Sequence, residues 1–219
     1  MLTIVIIIFA YLIGSVPFGS IVTGLAGFPD IRKTGSGNIG ATNVWRVCGF
    51  KTAIWVFVGD IGKGVLAVLL ARYFVSHYEL AFFTRDVFLV VCALSAVIGH
   101  VFPIYLRFKG GKGVNTALGT MATLLPWETL ISFVVFVIVV FLSRYVSLGS
   151  IIAAISLFIA VAVEKYCLHH NIAMIYFYLS LILAILIIIT HRKNIGRLVT
   201  GKENRFSFSG KAKVKSADV

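Results

Sequence analysis

The chain has 219 residues, 59% of them hydrophobic and 13% charged, with a net charge of +12. A soluble domain of this length cannot cover so much apolar surface with so few charges, which excludes an ordinary soluble globular protein. Cys48, Cys92 and Cys167 are an odd set without close spacing, so neither a disulfide framework nor a zinc site is expected.

Several apolar runs have the length that a helix needs to cross the hydrocarbon core. Seven spans are predicted: 2–23, 52–71, 87–106, 114–125, 127–143, 148–163 and 172–190. The first, opening MLTIVIIIFAYLIGS, lacks a basic n-region and a small-x-small cleavage site, so it reads as a retained span rather than a secretory signal. The fourth is short and Pro126 parts it from the fifth, so the two form a tight helical hairpin; a five-span arrangement is the competitor.

Sorting Lys and Arg by alternating side puts sixteen of 20 on one side: Arg32, Lys33, Arg46, Lys51, Arg107, Lys109, Lys112, Arg144 and the eight after His191. Arg72, Arg85 and Lys165 fall on the other, and Lys63 lies within a span. Cytoplasmic loops carry such an excess, so the N-terminus is expected outside and the C-terminus in the cytoplasm. The fold class is all-α, a polytopic membrane protein of about seven transmembrane helices. Residues 1–203 form one transmembrane domain, read as catalytic from the resemblance described below, and 204–219 read as a basic, disordered tail able to rest on anionic headgroups. The basic loops border lipid, which points to membrane and phosphate partners, not to nucleic acid.

The polar motifs gather on the basic side. TGSGNIGATNVWR (34–46) combines backbone N–H groups freed by glycines with Ser36, Asn38, Thr42 and Asn43 as donors and Arg46 as a planar fork for phosphate. An ordinary Gly/Asn turn is the plainer reading, and the density of donors beside a membrane favours an anion site. GDIGKG (59–64) sets Asp60 and Lys63 three apart on one helix face, a candidate intramembrane pair that serves either function or helix packing. GHVFPIYLRFKGGKGVNT brings His100, then Lys109, Gly110, Gly111, Lys112 and Gly113. It is not a P-loop: Leu106 stands where the first glycine belongs, Gly113 where the hydroxyl belongs, and no strand precedes it. Snorkelling explains its two lysines but not its three glycines. His100 suits either a packed structural role or proton transfer. SRYVSLGS offers Ser147, which also suits the N-cap of the next helix. HRKNIGRL offers Asn194 and Arg197, which also suit an interface.

GSVPFGSI, TGSGNIGATNVWR, GHVFPIYLRFKGGKGVNTALG, SRYVSLGSI and HRKNIGRLVTGKE together resemble, in the same order, the bacterial integral-membrane glycerol-3-phosphate acyltransferases that use acyl-phosphate as donor. The resemblance covers roughly residues 10–205. It implies seven spans in the bacterial inner membrane, a site open to the cytoplasm, and transfer of a fatty acyl group to glycerol 3-phosphate, giving lysophosphatidic acid and phosphate, the first step of phospholipid synthesis. No coenzyme A, other cofactor or metal is implied. Ser36 and Arg46, with Lys109 and the glycines after it, are implied in phosphate binding. His100, Ser36, Ser147 and Asn194 are implied in catalysis by holding or orienting the reacting groups. The general base is either His100 or the substrate's own phosphate, and spacing does not separate Lys109 from Lys112.

Two other functions compete. A coenzyme A-dependent enzyme of the H-x4-D type needs Asp where Tyr105 stands. A membrane transporter of organic phosphates predicts inverted repeats and a mid-membrane site. No repeat is present, and apart from Asp60 and Lys63 the candidate groups lie at one face.

Overall fold

The structure, a computed structural model, describes residues 2–80, 82–168 and 172–207. All regular elements among these residues are helices. The first apolar run is two helices, α1 (Leu2–Ser15) and α2 (Phe18–Leu25), bent by 43° at Val16–Pro17. Proline supplies no N–H and biases the preceding residue away from helical backbone, which breaks the single span expected over 2–23. The Val16 carbonyl at the break accepts a hydrogen bond from Lys63 Nζ at 2.9 Å.

The first loop contains a short amphipathic helix, α3 (Ala41–Cys48), which hydropathy alone does not reveal. Then come α4 (Phe50–His77), α5 (Arg85–Val101), α6 (Val114–Leu124), α7 (Pro126–Ser143), α8 (Val146–Tyr166), α9 (Met174–Thr190) and α10 (Arg192–Val199). Helices α4, α7 and α8 and the stretch Arg85–Leu106 are each long and apolar enough to cross a membrane. The pairs α1–α2 and α9–α10 qualify only as bent spans, the latter turning by 61°.

Each of the seven expected stretches therefore holds a helix, but α6 has 11 residues and rises only ~16 Å, about half the hydrocarbon core. It starts at Val114, as expected, and the glycine loop before it folds back along α5 instead of lying wholly outside. Gly110 N–H donates to Val101 O at 3.2 Å, and Gly111 N–H to His100 O at 3.1 Å. Proline at the start of α7 needs no N–H partner there, so α7 begins almost where α6 ends.

Close backbone approach holds the bundle together. A Cβ on Gly14 or Gly99 would strike the facing helix of the α1–α5 pair, and one on Gly64 or Gly119 would do so between α4 and α6. Lipid tails are as apolar as leucine, so in a bilayer this packing and interhelical hydrogen bonds hold helices together, not escape from water. The main core includes Phe88, Met121, Val161, Leu179 and Leu183, all fully buried. Outward faces carry exposed apolar groups such as Ile131, Phe141 and Leu142 on α7, as lipid contact requires.

The two ends of the bundle differ. At one, Arg72 donates to Thr123 O at 2.6 Å and Tyr176 to Asp86 at 2.8 Å. At the other, a second core cluster of Ile31, Val44, Val47 and Val56 supports the first loop and α3. Packing there runs past the expected domain boundary at residue 203. Phe206 N–H donates to Arg144 O at 2.6 Å, and its ring lies 4.9 Å from that of Trp45. Residues 205 and 206, expected in a disordered tail, thus pack on the bundle, Arg205 at Tyr145 and Phe206 on α3; residues 208–219 lie outside the described residues.

Candidate functional site

A cavity of about 530 Å³ opens at the end that carries the second cluster. Its polar wall comes from four separate parts of the chain. In the first loop, Asn43 is 2% exposed and its amide is committed to the backbone: Oδ1 accepts Ser36 N–H at 2.8 Å, and Nδ2 donates to Asn38 O at 2.9 Å and Thr34 O at 3.1 Å. Asn43 therefore shapes the turn rather than offering free donors. Asn38 Oδ1 likewise accepts Gly40 N–H at 2.8 Å. Ser36, Asn38 and Arg46 line the cavity, with Arg46 projected from α3.

The glycine loop delivers Lys112 and not Lys109. Gly113, at φ 85°, takes the left-handed turn that starts α6, a conformation costly for other residues. Lys112 Nζ then donates to Asn194 Oδ1 at 2.5 Å, while Thr190 Oγ1 donates to the Lys112 carbonyl at 3.2 Å. Lys109 is exposed and absent from the cavity wall. Gly110 packs on the His100 carbonyl and Pro103, and Gly111 on the His100 ring.

The last two parts are the start of α8 and the α9–α10 bend. Ser147 does not cap α8, whose N-cap is Tyr145 without a side-chain bond. Its hydroxyl donates instead to Glu203 at 2.9 Å. Glu203 also accepts from Asn194 Nδ2 and Arg197 Nε, each at 2.6 Å. Glu203 and His191, whose buried ring Nδ1 lies 2.8 Å from Ile187 O, both line the cavity and were not singled out by motif. One signal existed for Glu203: it is the sole acid in HRKNIGRLVTGKENR, among five Lys and Arg side chains that a buried site has to balance.

Arg46, Lys112, Lys193 and Arg197 give the wall a positive excess over Glu203 and Asp60. Burial lowers the Lys112 ammonium to about 8, with Glu203 opposing and Arg197 and Arg46 adding to the shift. Burial also pulls the Arg46 guanidinium below its ordinary value. For Glu203, burial alone would raise the carboxyl, but the bonds from Arg197, Asn194 and Ser147 outweigh it and hold the group below its ordinary value.

Deeper in the bundle, Asp60 Oδ1 lies 2.9 Å from Lys63 Nζ and 3.4 Å from His100 Nδ1, all three side chains being buried. Asp60 and His100 reach the cavity wall. A second, apolar cavity of about 80 Å³ shares Phe57, Val114, Asn115, Phe136 and Ser150 with the first and is lined also by Met121, Ala154 and Leu157. A cationic, N–H-rich basin thus adjoins an apolar slot between α6, α7, α8 and α9. Such a pair accommodates a phosphate group joined to a hydrocarbon chain.

Comparison with known proteins agrees with this chemistry. The family profile described as glycerol-3-phosphate acyltransferase matches residues 4–201. A glycerol-3-phosphate acyltransferase of Syntrophotalea carbinolica is 44% identical over 202 residues, covering 92% of this chain and 96% of that protein. Among solved structures, PlsY, an integral membrane glycerol 3-phosphate acyltransferase, superposes in its glycerol 3-phosphate form with a TM-score of 0.83 at 39% identity, covering 94% of this chain and 96% of that one. Its lysophosphatidic acid form gives 0.81 at 38% identity, covering 96% and 98%.

Proposed function

The chain belongs to the glycerol-3-phosphate acyltransferase family, and from that premise we propose that it transfers a fatty acyl group from acyl-phosphate to glycerol 3-phosphate, releasing lysophosphatidic acid and inorganic phosphate. The observation that carries this reading is the junction of the cationic basin with the apolar slot at Phe57, Val114 and Phe136. Glycerol 3-phosphate is water-soluble and the donor is lipid-borne, so a shared site has to be charged on one side and greasy on the other. PlsY structures holding glycerol 3-phosphate and lysophosphatidic acid support both halves of the requirement.

Acyl-phosphate is a mixed anhydride with a good leaving group, so no strong protein nucleophile is required. The glycerol hydroxyl oxygen attacks the acyl carbonyl carbon, the carbonyl-carbon to phosphate-oxygen bond breaks, and the hydroxyl proton passes to a phosphate oxygen. Alignment of hydroxyl and carbonyl supplies much of the rate. Lys112, Arg46, Arg197 and the N–H groups of the first loop stabilise charge on the carbonyl oxygen and the departing phosphate. Ser36, Ser147 and Asn194 orient the phosphates. The excess of Lys and Arg at this end supports a site facing the cytoplasm of the bacterial inner membrane.

The test is direct. Purified protein receives glycerol 3-phosphate with either acyl-phosphate or acyl-coenzyme A, and lysophosphatidate and phosphate are followed. Product from acyl-phosphate alone is expected; equal use of the thioester would overturn the donor assignment.

A further inference from the structure

We propose that Asp60 is a positioning residue for this reaction: it holds His100 as the Nδ1–H tautomer, and His100 sets the glycine loop that carries Lys112. The proposal rests on the acyltransferase reading for its kinetic consequences, but its geometry stands apart from the substrate.

The chain of contacts starts at the break between α1 and α2. Lys63 Nζ donates to the Val16 carbonyl at 2.9 Å and pairs with Asp60 Oδ1 at 2.9 Å. Lys63 and Asp60 are 4% and 2% exposed, so each needs the other as counter-charge. Asp60 Oδ1 also stands 3.4 Å from His100 Nδ1, and among the described residues that nitrogen makes no hydrogen bond, although its ring is only 3% exposed, so the carboxylate is the acceptor it faces. With Asp60 already balanced by Lys63, a neutral ring is the least costly occupant.

The opposite edge of the ring fixes which nitrogen holds the proton. A Cβ built on Gly111 would fall on His100 Nε2, with ring atoms Cδ2 and Cε1 both 3.0 Å from it. Equal distances to those two carbons put a Gly111 Cα–H on the plane that bisects the ring through Nε2, crowding the space an Nε2 proton would occupy. Nε2 therefore keeps its lone pair against that Cα–H, a weak contact of a recurring kind. The proton belongs on Nδ1, facing the Asp60 carboxylate, as a second partner commonly sets a histidine tautomer. A ring capped in this way is not placed to take a proton from a substrate hydroxyl.

What the ring does is hold the loop. Its backbone carbonyl accepts Gly111 N–H at 3.1 Å while its Nε2 abuts the same residue's Cα. The next residue is Lys112, which reaches Asn194. A tilt of the imidazole thus displaces the cation at the centre of the polar wall, and displacements near 1 Å can cost ~100-fold in rate.

The experiment has two arms. Wild-type protein labelled with ¹⁵N in its five histidines is examined by NMR at neutral pH, with the His100 signals identified by their loss in His100→Asn. A protonated Nδ1 and a bare Nε2 are expected, with Asp60→Asn moving population toward Nε2–H. An Nε2–H or doubly protonated ring in the wild type overturns the proposal. In the kinetic arm, His100→Gln places an amide group near the position of Nε2 and keeps contact with Gly111, but cannot carry a proton there. It is expected to stay within ~10-fold of wild-type kcat, whereas His100→Ala, which loses the contact, drops ~100-fold. A folded His100→Gln as inactive as His100→Ala would make Nε2 a proton carrier and sink the idea. If wild-type protein transfers no acyl group, the function assignment falls, and the tautomer alone decides the positioning claim.

Discussion

Lys112 Nζ and Asn194 Oδ1, 82 residues apart in sequence, meet at 2.5 Å and join the glycine loop to the bend between α9 and α10. This contact separates two lysines that spacing leaves equivalent. Lys112→Ala is expected to lower kcat/KM for glycerol 3-phosphate by ~100-fold, the scale for losing one charge-stabilising donor in a sheltered site. Lys109→Ala, altering an exposed side chain outside the cavity, is expected to change it less than ~3-fold. Initial rates on the two purified variants check the contrast.

Lys112 also predicts a pH dependence. Burial disfavours the ammonium, so it releases its proton near 8 rather than at its ordinary value of 10.5. The cation is present below that pH and lost as pH rises through it. KM for glycerol 3-phosphate is therefore expected to climb above about pH 8, and Lys112→Arg, charged at every accessible pH, is expected to flatten the climb. A profile identical in both proteins would assign the titration elsewhere.

Glu203 bears on stability more than on rate. Its carboxylate accepts bonds from Ser147, Asn194 and Arg197, and Glu203→Gln removes the charge that makes them strong. Arg197 is partly exposed, so the expected loss is only about 1–2 kcal/mol. The sign with pH follows from the lowered carboxyl. Stabilisation is complete above the ordinary value of 4.5 and fades as pH falls through the folded-state value below it. Thermal melts should show that acid-side decline in the wild type and a weaker one in the variant.

Gly111→Ala is expected to reduce kcat/KM by at least ~10-fold, because its methyl group would land on the His100 ring. Gly62→Ala is the control: a Cβ there meets nothing within 4 Å, and replacing glycine by alanine in a helix favours folding by ~1 kcal/mol. Activity and melting temperature measured together separate the two.

The apolar slot predicts chain-length selectivity. Ala154→Leu places an isobutyl group in the wall of the 80 Å³ cavity. Excluding about two methylenes at ~0.8 kcal/mol each should lower kcat/KM for a long-chain acyl-phosphate by ~10-fold. A shorter donor should be spared, as competition between donors of two lengths would reveal.

Much of this architecture was legible before any coordinates. Runs such as 127–143 are apolar enough to be read as bilayer-length helices, and the glycines at 35, 37 and 40 and at 110, 111 and 113 marked both loops beside basic residues. The bend at Pro17 was less so, since a proline within an apolar run leaves the hydropathy unchanged. Choosing Lys112 over Lys109 required knowing that the loop folds back on α5, a matter of tertiary hydrogen bonding. Ser147 looked like a helix cap because local pattern carries no trace of a carboxylate 56 residues away. Asn43 looked like a ligand group because donor content alone does not say whether the backbone has already taken it.

The segment that carries Glu203 and Phe206 also has a bearing on biogenesis. A ribosome makes Arg46, Lys112 and Arg197 before it makes Glu203, so while the helices insert, these like charges lack the counter-ion that later joins them. The charge balance of the cavity wall is therefore completed only by the segment around Glu203, after all the helices that frame the cavity have been made.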